Sequence, residues 1–138
     1  MTDPNHADPA AAGRLHHVEL AASDLPAALA FWGWLLTELG YERENEWEGG
    51  RSWRLGPTYV VLKRAGSDRP HERAAPGLDH LAFHAGSRAQ VDRVAERVRE
   101  RPAATLLYPD EHPYAGGYYA AYCEGPEGVT VEVVGPED

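Results

Sequence analysis

Leu15-His16-His17-Val18-Glu19-Leu20 returns later in the chain as Leu78-Asp79-His80-Leu81-Ala82-Phe83. Both stretches read Leu, any residue, His, aliphatic, any residue, large apolar. Self-similarity at the length of a whole module is a signature of repeated architecture. The residues downstream of each copy strengthen it. After the first, Ser23 or Asp24 can cap a helix with Pro26 in its first turn, where a missing N–H costs nothing. Leu25, Leu29, Trp32, Leu36 and Leu39 then recur at helical spacing until Gly40. Strands are expected over Tyr41 to Trp47, Arg51 to Leu55 and Tyr59 to Lys63, separated by Gly49-Gly50 and Gly56-Pro57. After the second copy, Ser87 and Gln90 form a capping box. Val91, Val94, Ala95 and Val98 make a helical stripe ended by Pro102. Strands are expected over Leu78 to Phe83, Ala104 to Tyr108, Tyr118 to Glu124 and Val129 to Val134.

The chain therefore reads βαβββ twice. The expected fold is α+β, two βαβββ modules forming a curled mixed-sheet cup. The expected divisions are a disordered lead-in at 1–13, a first module at 14–66, a linker at 67–76 and a second module at 77–136, the two modules together making one domain. Each half has one helix and a small sheet, too little to bury a core alone, so the halves must pair within the chain or between chains.

Length and composition agree. The chain has 138 residues, 43% hydrophobic and 25% charged, ordinary values for a globular domain. No apolar run approaches the ~20 residues of a membrane helix. The polar start lacks the basic and apolar regions of a secretory signal, so a cytoplasmic protein is the default expectation. A formal net charge of −9 argues against a nucleic-acid backbone as partner. Arg93, Arg97, Arg99 and Arg101 alternate with Glu96 and Glu100, the pattern of a solvated helix face. The single cysteine, Cys123, can form no internal disulfide and reads as a buried, inert thiol.

Strand alternation decides which side chains share a face. His17 and Glu19 share one, with Val18 and Leu20 opposite. His80, Ala82 and His84 share another, with Leu81 and Phe83 opposite. Glu132 lies with Thr130 and Val134, against Val129, Val131 and Val133. Each strand thus places a polar residue away from its helix. If the sheets curl toward each other, these faces line one cavity. A lone histidine on a strand is ordinarily a surface or core residue, and a lone glutamate the solvent side of an alternation. Two repeat-matched histidines with a carboxylate point further. Turned inward together they are costly unless satisfied, and a divalent cation satisfies them. His17, His80 and Glu132 are the expected metal ligands, a facial triad suited to iron(II), manganese or another octahedral ion.

The sequence resembles the vicinal oxygen chelate superfamily, which includes glyoxalase I, bleomycin-resistance proteins and extradiol dioxygenases. Leu15 to Leu20 with Ser23-Asp24-Leu25 and Phe31-Trp32 resembles that family's opening strand and helix. Gly77-Leu78-Asp79-His80-Leu81-Ala82-Phe83 resembles the start of its second module. Glu124-Gly125-Pro126-Glu127-Gly128-Val129-Thr130-Val131-Glu132-Val133 resembles its closing hairpin, which ends on a metal-binding glutamate. The resemblance implies His17, His80 and Glu132 as ligands of iron(II), manganese, nickel or zinc. It implies chemistry on a small oxygen-chelating molecule, dioxygenase-like or lyase/isomerase-like. One departure matters. Glyoxalase I and related epimerases draw a fourth ligand from the last strand of the first module, and here that strand is Tyr59-Val60-Val61-Leu62-Lys63. Its inward positions, Tyr59 and Val61, offer no obvious ligand, so a typical glyoxalase I is not expected. Fosfomycin-type transferases carry a basic anion-binding tail, whereas Gly135-Pro136-Glu137-Asp138 is acidic.

Tyr118, Tyr122 and His112 are the catalytic candidates. A tyrosine hydroxyl facing the cup could donate to an oxyanion, although aromatic core packing is the simpler role. His112 lies in the Pro109 to Gly117 loop, which could close over the cup. Glu19 and His84 are candidate partners orienting the ligands. His16 is expected to point to the opposite face from His17. The alternative function is a non-catalytic binder of an antibiotic or metabolite, with Trp32, Trp34, Trp47, Trp53 and the tyrosines as its stacking surface. A homodimer is the expected assembly. The resemblance leaves open whether the metal site closes within one chain or across two.

Overall fold

In the computed structural model, residues 9–114 and 117–137 are described; Met1 to Asp8, in the expected lead-in, lie outside them. The order is β1 (His17–Ala22), α1 (Leu25–Glu38), β2 (Glu42–Trp47), β3 (Gly50–Leu55), β4 (Thr58–Arg64), β5 (Leu81–His84), α2 (Arg88–Arg99), β6 (Thr105–Leu107), β7 (Ala120–Glu124) and β8 (Thr130–Val134). These elements form two four-stranded mixed sheets. The first runs β1-β4-β3-β2 and the second β5-β8-β7-β6. In each, the opening strand lies parallel to the closing strand of its module, and the others are antiparallel. The repeat in the letters is thus a repeat in topology.

Local chemistry accounts for the helices. Asp24 caps α1, its carboxylate accepting from Ala27 N–H at 3.2 Å, with a proline in the first turn. Gly40, at φ +100°, sits where the chain leaves the helix in a left-handed turn. Ser87 caps α2 through Gln90 N–H at 3.1 Å. The return arm of the capping box differs from expectation: Gln90 Oε1 accepts from Gly86 N–H at 2.7 Å, one residue early. That leaves the Gln90 amide to donate to Glu38 O of α1 at 2.9 Å.

The two modules share one apolar core. Val91, Val94, Ala95 and Val98 of α2 cover the second sheet through a narrow stripe. The buried arc of α1 is wider, because Phe31 and Trp32 are consecutive and both buried. A wide arc suits contact on two sides. One side meets Trp53, Val60 and Leu62 of the first sheet. On the other, Trp32 meets Phe83 of β5, ring centroids 6.4 Å apart, and Phe31 presses on Gly125. A Cβ at Gly125 would stand 2.8 Å from the Phe31 ring, so only glycine admits this contact.

A second seam joins the modules at the N-terminus of α1. The Glu127 carboxylate accepts from Ser23 N–H at 3.0 Å, from Ser23 Oγ at 2.7 Å and from Asp24 N–H. The helix-bearing sides of both sheets therefore meet in the shared core, and their polar sides face away from it. Alternation names the residues that share a face; it does not say which faces meet.

This packing covers three of the four tryptophans expected in a stacking surface and leaves Tyr108, Tyr114 and Tyr118 exposed. Trp32 and Trp53 are 2% and 1% exposed. Trp34 lies beneath the Arg101 guanidinium, 4.2 Å from its ring centre. Only Trp47 is substantially open.

Candidate metal centre

On the first sheet the pairing sets His17 against Tyr59 and Glu19 against Val61, so Tyr59 and Val61 share the polar face. Tyr59 stacks flat on His17 at 4.5 Å, and Arg54 lies over Tyr59 at 4.8 Å. His17 Nε2 is 3.6 Å from Glu19, and Glu19 is 3.7 Å from Lys63 Nζ. Val61 is an apolar side chain at the position that could have held a further ligand. His16 does not turn away. Its Nδ1 is 2.9 Å from His17 Nδ1 and its ring meets Tyr59 edge-on. It precedes β1, where strand alternation has no hold.

On the second sheet Ala82, Glu132 and Tyr122 form one row across β5, β8 and β7. Glu132 is only 5% exposed. Its Oε1 is 3.1 Å from His80 Nε2, while its Oε2 is buried with no hydrogen-bond partner. An orphaned buried carboxylate oxygen is costly and calls for an explanation. Burial, and then the Glu132 carboxylate beside it, push the Tyr122 hydroxyl up to about 12. It remains a proton donor across the neutral range.

Behind His80 stands a group that periodicity could not reveal. Asp79 Oδ1 is 2.7 Å from His80 Nδ1, and Arg73 Nε donates to the same oxygen at 3.0 Å. Arg73 also donates to Tyr108 Oη at 3.1 Å. The hydrogen bond with His80, then that from Arg73, hold the Asp79 carboxyl below its usual range. Tyr108 adopts a left-handed backbone, φ +51°, uncommon for an aromatic residue, and packs edge-on to Tyr122 at 5.5 Å.

A cavity of about 280 Å³ opens beside Glu132, lined by Ala82, Phe83, His84, Tyr118 and Val134. It collects two further candidates, His84 and Tyr118. His112 goes elsewhere: its Nδ1 meets Ala120 O at 3.0 Å and its Nε2 is 3.9 Å from Asp92 of α2. Cys123 is buried in the core, where burial pushes its thiol up to about 12.

The structure thus brings His80 and Glu132 together and sets His17 on the other sheet. Among the described residues, no three His, Cys, Asp or Glu side chains are grouped so as to hold a metal. The pair that does meet suits one. An imidazole nitrogen and a carboxylate oxygen 3.1 Å apart match neighbouring ligands on an ion with bonds of ~2.1 Å, and the orphaned oxygen is an uncommitted donor.

Paired βαβββ modules with a histidine and a buried glutamate on the polar face of the second sheet define a glyoxalase-type protein. Comparison with known proteins agrees. Residues 14–133 match the model of the Glyoxalase/Bleomycin resistance protein/Dioxygenase superfamily, and the chain belongs to that family. It is 43% identical over 127 residues to the Bacillus subtilis (strain 168) protein YqjT, covering 88% of this chain and 98% of that one. A solved structure from Bacillus halodurans, described as a candidate glyoxalase, is 42% identical with a TM-score of 0.88, covering 94% of this chain and 100% of that one. A lactoylglutathione lyase from Agrobacterium tumefaciens is 26% identical with a TM-score of 0.61, covering 89% and 93%. No helix among the described residues is long and apolar enough to cross a membrane.

Proposed function

We propose that this chain is a metal-dependent enzyme of the vicinal oxygen chelate type. It acts on a small molecule presenting two neighbouring oxygens, by dioxygenase-like or lyase/isomerase-like chemistry. The observation that carries this reading is the buried Glu132, with one oxygen beside His80 Nε2 and the other unpartnered. His80 and Glu132 hold a divalent ion, and His17 completes the triad. Because the two polar faces turn away from the shared core, His17 comes from a second copy of the chain. The sheet edges support this: among the described residues β1 and β5, like β2 and β6, pair on one side only, and an open edge favours association. The working unit is then modules 14–66 and 77–136 of two chains, each pair joined by 67–76.

The bound ion supplies Lewis-acid polarisation of the chelated oxygens. The chain's own groups do the rest. Tyr122 keeps its proton and donates to the substrate oxygen that gains charge. Tyr118 and His84 form the wall of the cavity where the rest of the substrate lies. Val61, where another carboxylate could have stood, leaves three protein ligands, which separates this site from a typical glyoxalase I.

Chelator-treated protein dialysed against Mn²⁺, Ni²⁺, Zn²⁺ or anaerobic Fe²⁺ is expected to take up one ion per chain. In His80→Ala the affinity is expected to fall by more than about 100-fold, since losing even an outer partner costs ~10–100-fold. Its circular dichroism should not change. Wild-type protein that takes up none of these ions would overturn the proposal.

A further inference from the structure

A histidine binds a metal well only when its ring is held in one orientation and its proton sits on the other nitrogen. His80 lies one residue before β5, so no strand pairing of its own fixes it. The ring is fixed instead by a chain of side chains. Asp79 Oδ1 faces Nδ1 at 2.7 Å, leaving Nε2 toward Glu132 at 3.1 Å. Asp79 is itself well exposed and would swing freely but for Arg73, whose Nε meets the same oxygen at 3.0 Å. Arg73 is anchored in turn by Tyr108 Oη at 3.1 Å. The segment carrying Arg73 is docked nearby, His71 N–H donating to Glu127 O at 3.0 Å.

We propose that Asp79 is a positioning residue for His80, accepting its Nδ1–H, and that Arg73, reaching in from the segment between the modules, holds Asp79 in place. This rests on the reading of His80 as a metal ligand. The contacts would otherwise be ordinary surface ion pairs, which contribute little to stability. The two roles separate experimentally. If Asp79 positions His80, its loss weakens metal binding and leaves the metal-free fold untouched.

The experiment titrates chelator-treated wild type, Asp79→Ala, Asp79→Asn and Arg73→Ala with Zn²⁺ against a competing chelator dye. Alongside run the melting temperature of each metal-free protein and the NMR signal of the His80 Nδ1–H in the Zn²⁺-loaded form. Asp79→Ala is expected to bind Zn²⁺ roughly 10–100-fold more weakly, with an unchanged metal-free melting temperature and an Nδ1–H signal lost to fast exchange. Asp79→Asn retains an acceptor oxygen and should recover part of the loss. Arg73→Ala should weaken binding in the same direction, by less. Equal affinity in Asp79→Ala and wild type overturns this inference and leaves the proposed function standing. A lowered metal-free melting temperature in Asp79→Ala, matching its loss of affinity, overturns it too, because the role would be structural. Wild type that takes up no ion would overturn the proposed function itself, and this inference with it.

Discussion

Glu132→Gln is expected to melt higher than wild type when both are metal-free, and to lack the affinity for divalent ions proposed for wild type. Two opposed effects meet in this one side chain. In the metal-free fold the carboxylate is almost fully enclosed, with one oxygen beside His80 and the other making no hydrogen bond, although the Tyr122 hydroxyl lies close to the carboxylate. Enclosing a charge with half its hydrogen bonds unmade works against folding. An uncharged amide of the same shape relieves that cost by about 2 kcal/mol, or roughly 5–10 °C in melting temperature for a domain of this size. The amide is also a poor metal ligand, so adding Zn²⁺ or Mn²⁺ should raise the melting temperature of wild type and not of the variant. The curves then cross: the variant is the more stable without metal, and wild type gains as metal is added. A metal-free variant that melts below wild type would mean that the carboxylate stabilises the fold through His80 and is not an uncommitted ligand.

Glu127→Ala is expected to cost about 2 kcal/mol at neutral pH, the sum of a few charge-assisted bonds at a helix N-terminus, which are among the stronger polar contacts. The carboxylate gathers Ser23 N–H, Ser23 Oγ and Asp24 N–H at the start of α1. Glu127 holds a left-handed backbone, φ +66°, a strain that a non-glycine residue bears only where something offsets it. The pH dependence has a definite sign. Partial burial would raise its carboxyl, but the hydrogen bonds from Asp24 and Ser23 outweigh it, and the folded-state value lies below the ordinary glutamate value. The stabilisation is therefore complete above the unfolded-state value and is lost as pH falls through the folded one. Urea denaturation at pH 7 should separate wild type from variant, and the gap should shrink as the solution is taken well below the ordinary glutamate value of 4.5. A gap independent of pH would remove the charge from the account.

The ease with which the fold could be read from the letters, and the difficulty of reading the site, have physical causes. Leu25 to Leu39 and Val91 to Val98 announce helices because burial on one side imposes a local period, and Gly40 and Ser87 mark ends through backbone needs of their own. The meeting of His80 with Glu132 was legible because the repeat placed the histidine and alternation placed the glutamate. Asp79 and Arg73 carry no such mark. Asp79 touches its own neighbour where the chain is still bending into β5, and Arg73 comes from a segment with no period at all. His16 misled for the same reason, lying just outside the strand whose alternation was applied to it. The arrangement of the modules was hidden most deeply. It depends on how Phe31, Trp32, Gly125 and Glu127 pack across the chain, and no stretch of sequence records that the two polar faces turn away from one core.

That arrangement is the centre of the account, because the proposed function then has His17 of one copy serve His80 and Glu132 of another. Metal content after co-refolding of two variants tests it most directly. Metal-free His17→Ala and Glu132→Ala are unfolded, mixed in equal amounts, refolded together, dialysed against Zn²⁺ and analysed for bound ion, beside each variant alone. If two copies share each site, random pairing makes half the dimers mixed, each with one intact site of two, and the mixture regains about one quarter of the wild-type metal while the separate variants hold none. If each chain builds its own site, every chain in the mixture still lacks a ligand, and a mixture holding no more metal than the variants alone would contradict the account.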